Sequence, residues 1–153
     1  MDPKLEFVFQ IEVRFASRNK VGTLPSGITR GFVPTSGGEI SGPRLQGRVV
    51  PNSGGDWAGW WPNGVVQFNA RYMLEASDKT LIVIENRGFR HAPPDVLRRM
   101  EALEPVAPDE YYFRIAPTFE APVGPHDWLT RHVFVGNADR RADRSIFRYF
   151  AVM

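Results

Sequence analysis

From Leu5 to Phe15 every second residue is apolar: Leu5, Phe7, Phe9, Ile11, Val13 and Phe15, with Glu6, Gln10, Glu12 and Arg14 between them. A period of two marks a strand with one face buried and one wet, because successive side chains of extended backbone point to opposite sides. The period returns from Val65 to Ala76, where Val66, Phe68, Ala70, Tyr72 and Leu74 alternate with Gln67, Asn69, Arg71 and Glu75, and again from Thr80 to His91. Shorter extended runs are predicted at 28–34, 45–50, 111–119, 132–136 and 146–153. The 14 glycines and 13 prolines lie mainly between these runs, and turn formers at that density leave little room for long helices. One exception is Pro93-Pro94-Asp95, which opens a stretch of helix formers and predicts one short helix around residues 94–103. No repeat of propeller or solenoid length is present. The pattern predicts an all-β chain forming a single domain over residues 1–153: an antiparallel β-barrel of about eight to ten strands with one short helix. Closure is preferred to an open sandwich because it removes exposed strand edges.

Composition narrows the function classes. A chain of 153 residues, 42% of them hydrophobic and 24% charged, supports one hydrophobic core. It has no cysteine, which excludes disulfides, thiolate catalysis and cysteine-ligated metals and fits a reducing cytoplasm. No segment approaches the roughly 18 consecutive apolar residues of a membrane span, and Met1 to Glu6 lacks the layout of a signal peptide. The expectation is therefore a cytoplasmic protein with no membrane partner. Its net charge of +2 is dispersed, which is a poor footprint for nucleic acid. His91, His126 and His132 lack the spacing of a metal site, and no GxSxG, phosphate loop or dinucleotide fingerprint occurs, so neither a metal nor a cofactor is expected.

The strand at Thr80–His91 carries the strongest hint of a site. Its odd row, Leu81, Val83, Glu85, Arg87, Phe89 and His91, changes midway from hydrocarbon to charge. If that row faces a barrel axis, its first half plugs one end and its second half lines a pocket at the other. Tyr112, Arg114, Thr118 and Glu120 would form the facing wall, and Gln67, Asn69 and Arg71 a third polar row. The alternative is the default for antiparallel sheets, with polar rows in water and apolar rows forming the core. The apolar row of the first strand, able to complete the plug, favours the cavity. On that orientation the catalytic candidates are Glu85, Glu120, Asp56 and His91. The ligand-binding candidates are Arg71, Arg87, Arg114, Tyr112, Trp57, Asn69, Trp128 and Thr130. Carboxylates serve proton transfer and guanidinia clamp a carboxylate, enolate or phenolate; the competing use of the same residues is as structural ion pairs. Trp60 and Trp61, being adjacent, are not expected to point the same way, and this, with the apolar outer rows, predicts a homodimer.

Gly37-Gly38, Ser41-Gly42-Pro43-Arg44-Leu45-Gln46-Gly47, Gly55-Asp56-Trp57, Asn69-Ala70-Arg71-Tyr72, Glu85-Asn86-Arg87-Gly88, Tyr111-Tyr112-Phe113-Arg114, Phe119-Glu120 and Trp128-Leu129 occur in that order, and the chain resembles the DUF3237 (UPF0311) family over nearly its whole length. The resemblance implies a compact antiparallel barrel, often dimeric, in a family whose biochemical role is generally not established. Three departures stand out. The chain reads Trp128-Leu129-Thr130 where the family commonly has Trp-Leu-Asn, Pro62-Asn63-Gly64-Val65 where it has Pro-Asp-Gly-Val, and Ser77-Asp78-Lys79 where it tends to have Asp-Asp-Gly. The two turn changes are neutral in kind; Thr130 implies a different ligand contact if the family's Asn makes one.

The sequence thus predicts a barrel binding a small organic molecule, carbonyl-bearing or aromatic, in a Glu/Arg-lined pocket, with proton transfer of the isomerase, cyclase or lyase type. A non-catalytic carrier using the same cavity, or a structural dimer without ligand, are the alternatives.

Overall fold

The structure is a computed structural model and describes residues 1–153. Twelve strands form in chain order: β1 Leu5–Arg14, β2 Asn19–Thr23, β3 Thr29–Pro34, β4 Gly37–Ser41, β5 Gly47–Val49, β6 Gly55–Asp56, β7 Gly59–Trp60, β8 Val66–Ala76, β9 Leu81–His91, β10 Tyr112–Glu120, β11 Val133–Arg140 and β12 Arg144–Val152. The helix α1, Pro94–Glu101, follows β9 with proline in its first turn, where its missing N–H costs nothing. No helix is long and apolar enough to cross a membrane.

Eight strands close on themselves in the order β8-β5-β4-β1-β12-β11-β10-β9, and β9 pairs with β8 to complete the ring, all antiparallel. The predicted barrel is therefore present. Four short strands extend it: β6 and β7 pair with both β3 and β8, and β2 pairs with β3. Outside the extended runs predicted from the sequence lie β2, β6, β7 and, in the ring, β4, which runs through Gly37-Gly38. Gly38 pairs with both Val13 and Val49, and a Cβ there would lie 1.9 Å from the Glu12 carbonyl oxygen. That crowding is why glycine, ordinarily a weak strand former, occupies a strand at this point.

The core fills one end of the barrel. Val8, Leu45, Ile82, Phe119, Phe134 and Ala151 pack there, closed off by Trp128 and Leu129 from a 3₁₀ turn at Asp127–Arg131. Aromatic rings dominate the packing, with Phe119 edge-on to Phe9 and Phe134 at 5.9 and 5.1 Å. A β-bulge between Phe7 and Phe9 puts the apolar row of β1 out of step with itself. Phe9, Ile11 and Val13 are buried, whereas Phe7 turns outward to meet Phe150 at 5.7 Å.

Candidate functional site

The orientation of the polar rows is the reverse of the expectation. On β9 the even residues Ile82, Ile84 and Asn86 are buried, with Arg90 continuing the same row, while Glu85, Arg87, Phe89 and His91 belong to the outer face. On β10 the buried residues are Phe113, Ile115, Pro117 and Phe119, and Tyr112, Arg114 and Glu120 are exposed. On β8, Asn69 and Arg71 project outward, opposite Tyr72 and Leu74. The physical reason is the ordinary one: guanidinia and carboxylates keep their hydration when the apolar row can fill the core. Glu85 pairs with Arg87 on its own strand, and Glu120 pairs with Arg71 at 3.5 Å, both at the surface. His91 stacks on Tyr112 at 4.8 Å on the same outer wall. Trp57 stacks on Phe32 at 4.3 Å and stays half exposed. Trp128 belongs to the plug, with the Arg44 guanidinium 3.8 Å above its ring. Thr130 is exposed, its hydroxyl donating to the Asp127 carbonyl at 2.8 Å. Of the twelve candidates only Asp56 lines the cavity inside the barrel, whereas Arg87, Tyr112 and Arg114 border a shallow groove on its outer wall.

That cavity lies at the end of the barrel away from the plug, as the change along β9 anticipated, and holds about 550 Å³, within the range of small-molecule sites. Each wall is the inward row of a strand near this end: Val13 from β1, Val66, Phe68, Ala70 and Tyr72 from β8, Asn86 and Arg90 from β9. Phe113, Arg140, Ser145 and Phe147 come from β10 to β12, and Leu97, Met100 and Glu101 bring one side of α1 across the opening. Trp60 and Trp61 both contribute, contrary to the expectation that they diverge. Strand alternation governs Trp60 but not Trp61, which begins the turn at Pro62-Asn63-Gly64. The turn is closed by Gly64 donating to the Trp61 carbonyl at 3.0 Å.

Inside this chamber, whose lining is more than half hydrophobic, several polar groups are under-satisfied. Four buried side-chain polar atoms in the molecule have no hydrogen-bond partner: Trp61 Nε1, the Tyr72 hydroxyl, Asn86 Oδ1 and Arg90 Nε. All four belong to residues lining this one cavity. Buried polar atoms without partners are uncommon and costly, and here they converge on one place. Asn86 is held by its amide nitrogen, which donates to the Tyr149 hydroxyl at 3.2 Å, leaving its carbonyl oxygen free.

Asp56 sits on β6, between β3 and β8, where its Oδ1 accepts from the Asn69 backbone N–H at 2.8 Å. Burial pushes its carboxyl up to about 6, against the pull of that hydrogen bond and of the Arg90 and Arg30 guanidinia. Arg90 feels the same burial with the opposite sign and is pushed down to about 10, with Arg140 adding like-charge repulsion. Burial also raises the Tyr72 phenol. A carboxyl whose two states exchange near pH 6, in a shielded cavity, has the properties of a proton-transfer group. No grouping of histidine, aspartate and glutamate with the arrangement of a metal site accompanies it.

The missed residues are Asn86, Arg90, Arg140 and Tyr72, and for the two on β9 the sequence carried a signal that only the choice of inward face makes readable. The even row of β9 also passes from Ile82 and Ile84 to Asn86 and Arg90, the same change of character as the odd row but on the face that the core selects.

Fold and site define a closed eight-stranded β-barrel with a single-ended internal cavity of mixed apolar and polar lining. The chain belongs to the DUF3237 family, a protein family of unknown function, which matches residues 3–152. A UPF0311 protein of Rhodopseudomonas palustris is 35% identical over the full length of both chains. A β-barrel-like protein from Acinetobacter baumannii, solved as a crystal structure, is 30% identical with a TM-score of 0.87, covering 100% of this chain and 98% of the other. An enzyme from Penicillium herquei shares the fold with a TM-score of 0.74 at 17% identity, covering 100% of this chain and 96% of that one.

Proposed function

We propose that the barrel binds a small, flat organic molecule in its cavity and moves a proton on it, with Asp56 as general acid and base. The observation that carries this reading is the convergence of every unpartnered buried polar side-chain atom on one cavity that also contains Asp56. Phe68, Phe113 and Phe147, with Phe68 stacked on Phe113 at 4.6 Å, supply a face for an aromatic or conjugated ring. Trp61 Nε1 and Asn86 Oδ1 supply one donor and one acceptor for its substituents. Asp56 takes a proton from one atom of the bound molecule and returns it to another, which describes an isomerisation, a cyclisation or an elimination without an external oxidant. The likeness to the Penicillium herquei enzyme rests on fold alone.

Deuterium exchange tests the reading. Enolisable and phenolic carbonyl compounds that bind, detected by quenching of tryptophan fluorescence, are incubated with the protein in heavy water and followed by NMR. The expected result is site-specific deuteration with the native chain and none with Asp56→Asn, at comparable affinity. Bound compounds that exchange equally in both proteins favour a carrier.

Self-association and a cytoplasmic location belong to the same proposal. Leu5, Phe89, Tyr112 and Val133 are exposed on the outer wall of the barrel and support the first. The cysteine-free sequence supports the second.

A further inference from the structure

Resting on the cavity reading above, we propose that the ligand enters as an anion, a carboxylate or phenolate on an aromatic frame, and that Arg90 is its counter-ion. Three guanidinia, Arg18, Arg90 and Arg140, line the cavity against two carboxylates, Asp56 and Glu101. Eight other arginines of the chain form ion pairs, but none of these three does. Arg18 and Arg140 settle for backbone carbonyls, those of Ala142 at 3.3 Å and Met100 at 2.9 Å.

Arg90 has less. Its Nε is unpartnered, and its guanidinium carbon lies 5.6 Å from the Phe68 ring and 5.9 Å from that of Phe113. The two rings hold the side chain in place and offer only the weak attraction of their π faces. A buried cation left in this state is costly, and an oxyanion accepting from its forked N–H groups recovers the cost by a charge-assisted, geometrically specific contact. Asp56, which is near enough to feel Arg90 electrostatically, accepts from the Asn69 backbone N–H with its Oδ1 and forms no ion pair with Arg90. The guanidinium therefore stays available. An anion docked there also has its ring laid against Phe68 and Phe113, the surfaces that position Arg90 itself. The substrate class is thus an aromatic acid or an acidic phenol, not a neutral ketone.

A matched pair of probes tests this on the full chain. The shapes of 2-naphthoate and 2-naphthamide are nearly the same and only the first is charged; both are titrated calorimetrically at neutral pH. The expected result is affinity for naphthoate greater by about tenfold or more, with the preference lost in Arg90→Gln, partly restored in Arg90→Lys, and naphthamide affinity little changed throughout. Equal binding of the two probes by the native protein, or a preference that survives Arg90→Gln, overturns the counter-ion role while leaving the cavity reading intact. If neither probe binds, the cavity reading fails and this one with it. The native comparison does not depend on any variant folding.

Discussion

Asp56 is the residue at which stability and proposed function oppose each other. Its carboxyl rises from 3.8 to about 6 on folding, chiefly through burial. A group raised in this way stabilises the fold most below its unfolded value, where it is protonated in both states. That contribution is lost as pH climbs through 4 to 6, because the native state must then release a proton from a site that disfavours the charge. The ionised carboxylate consequently costs the folded protein on the order of 1 to 3 kcal/mol at pH 8. Asp56→Asn keeps an oxygen to accept from the Asn69 N–H and removes the charge. Urea unfolding of this variant is expected to show it more stable than the native chain at pH 8 and indistinguishable from it at pH 3.5. Equal stability at both pH values would mean that the carboxyl is not desolvated, and its assignment as the proton-transfer group would fall. Asp56 was the one cavity residue among the candidates chosen from the sequence, where it was chosen as a carboxylate able to move a proton and not for its position. Arg90 was not, because an arginine on an alternating strand reads as solvent-facing unless the facing row is known.

At the scale of the element, β9 shows what alternation can and cannot decide. The position of the cavity along the strand was legible, since both rows pass from hydrocarbon to polar residues at the same point. Which row faces inward was not, because Leu81, Val83 and Phe89 are nearly as apolar as Ile82 and Ile84, and a one-residue shift exchanges the faces. The bulge in β1 removed the other clue by dividing its apolar row between core and surface. Two measurements follow from the observed orientation. Glu85→Gln and Glu120→Gln, whose side chains lie on the outer wall, are expected to leave ligand affinity and deuterium exchange within a factor of about two of native, as surface changes do; a collapse of either would return the site to the outer row. Gly88 is different. A Cβ there would stand 2.1 Å from the Arg114 carbonyl oxygen and 2.8 Å from the Ile115 Cα, so Gly88→Ala must push β9 away from β10. A loss of about 1 to 3 kcal/mol in urea unfolding is expected, with weakened probe binding because Arg90 and Phe113 ride on those two strands.

For the whole molecule, opposite faces of β9 and β10 present two different surfaces. Inward, they present Asn86, Arg90 and Phe113 to the cavity. Outward, they contribute Phe89 and Tyr112, 43% and 46% exposed, to a shallow groove that continues through Val135 and Phe150 to Leu5. Phe150 pairs in register with both Phe7 and Val135, so the apolar surface is continuous across strands, and a surface of this kind on a small domain is ordinarily covered. A second copy of the chain meeting it about a two-fold axis would place the same residues against one another. Sedimentation velocity is expected to give twice the 17.3 kDa chain mass for the native protein and a monomer for the double variant Phe89→Glu, Tyr112→Glu. Because the altered side chains point away from the cavity, the monomeric variant is expected to bind 2-naphthoate as the native protein does. Native protein that sediments as a monomer at tens of micromolar (about ten times the range of a typical micromolar dimer) would remove the dimer. A monomeric variant that no longer binds the probe would show instead that the two faces are coupled through the barrel wall.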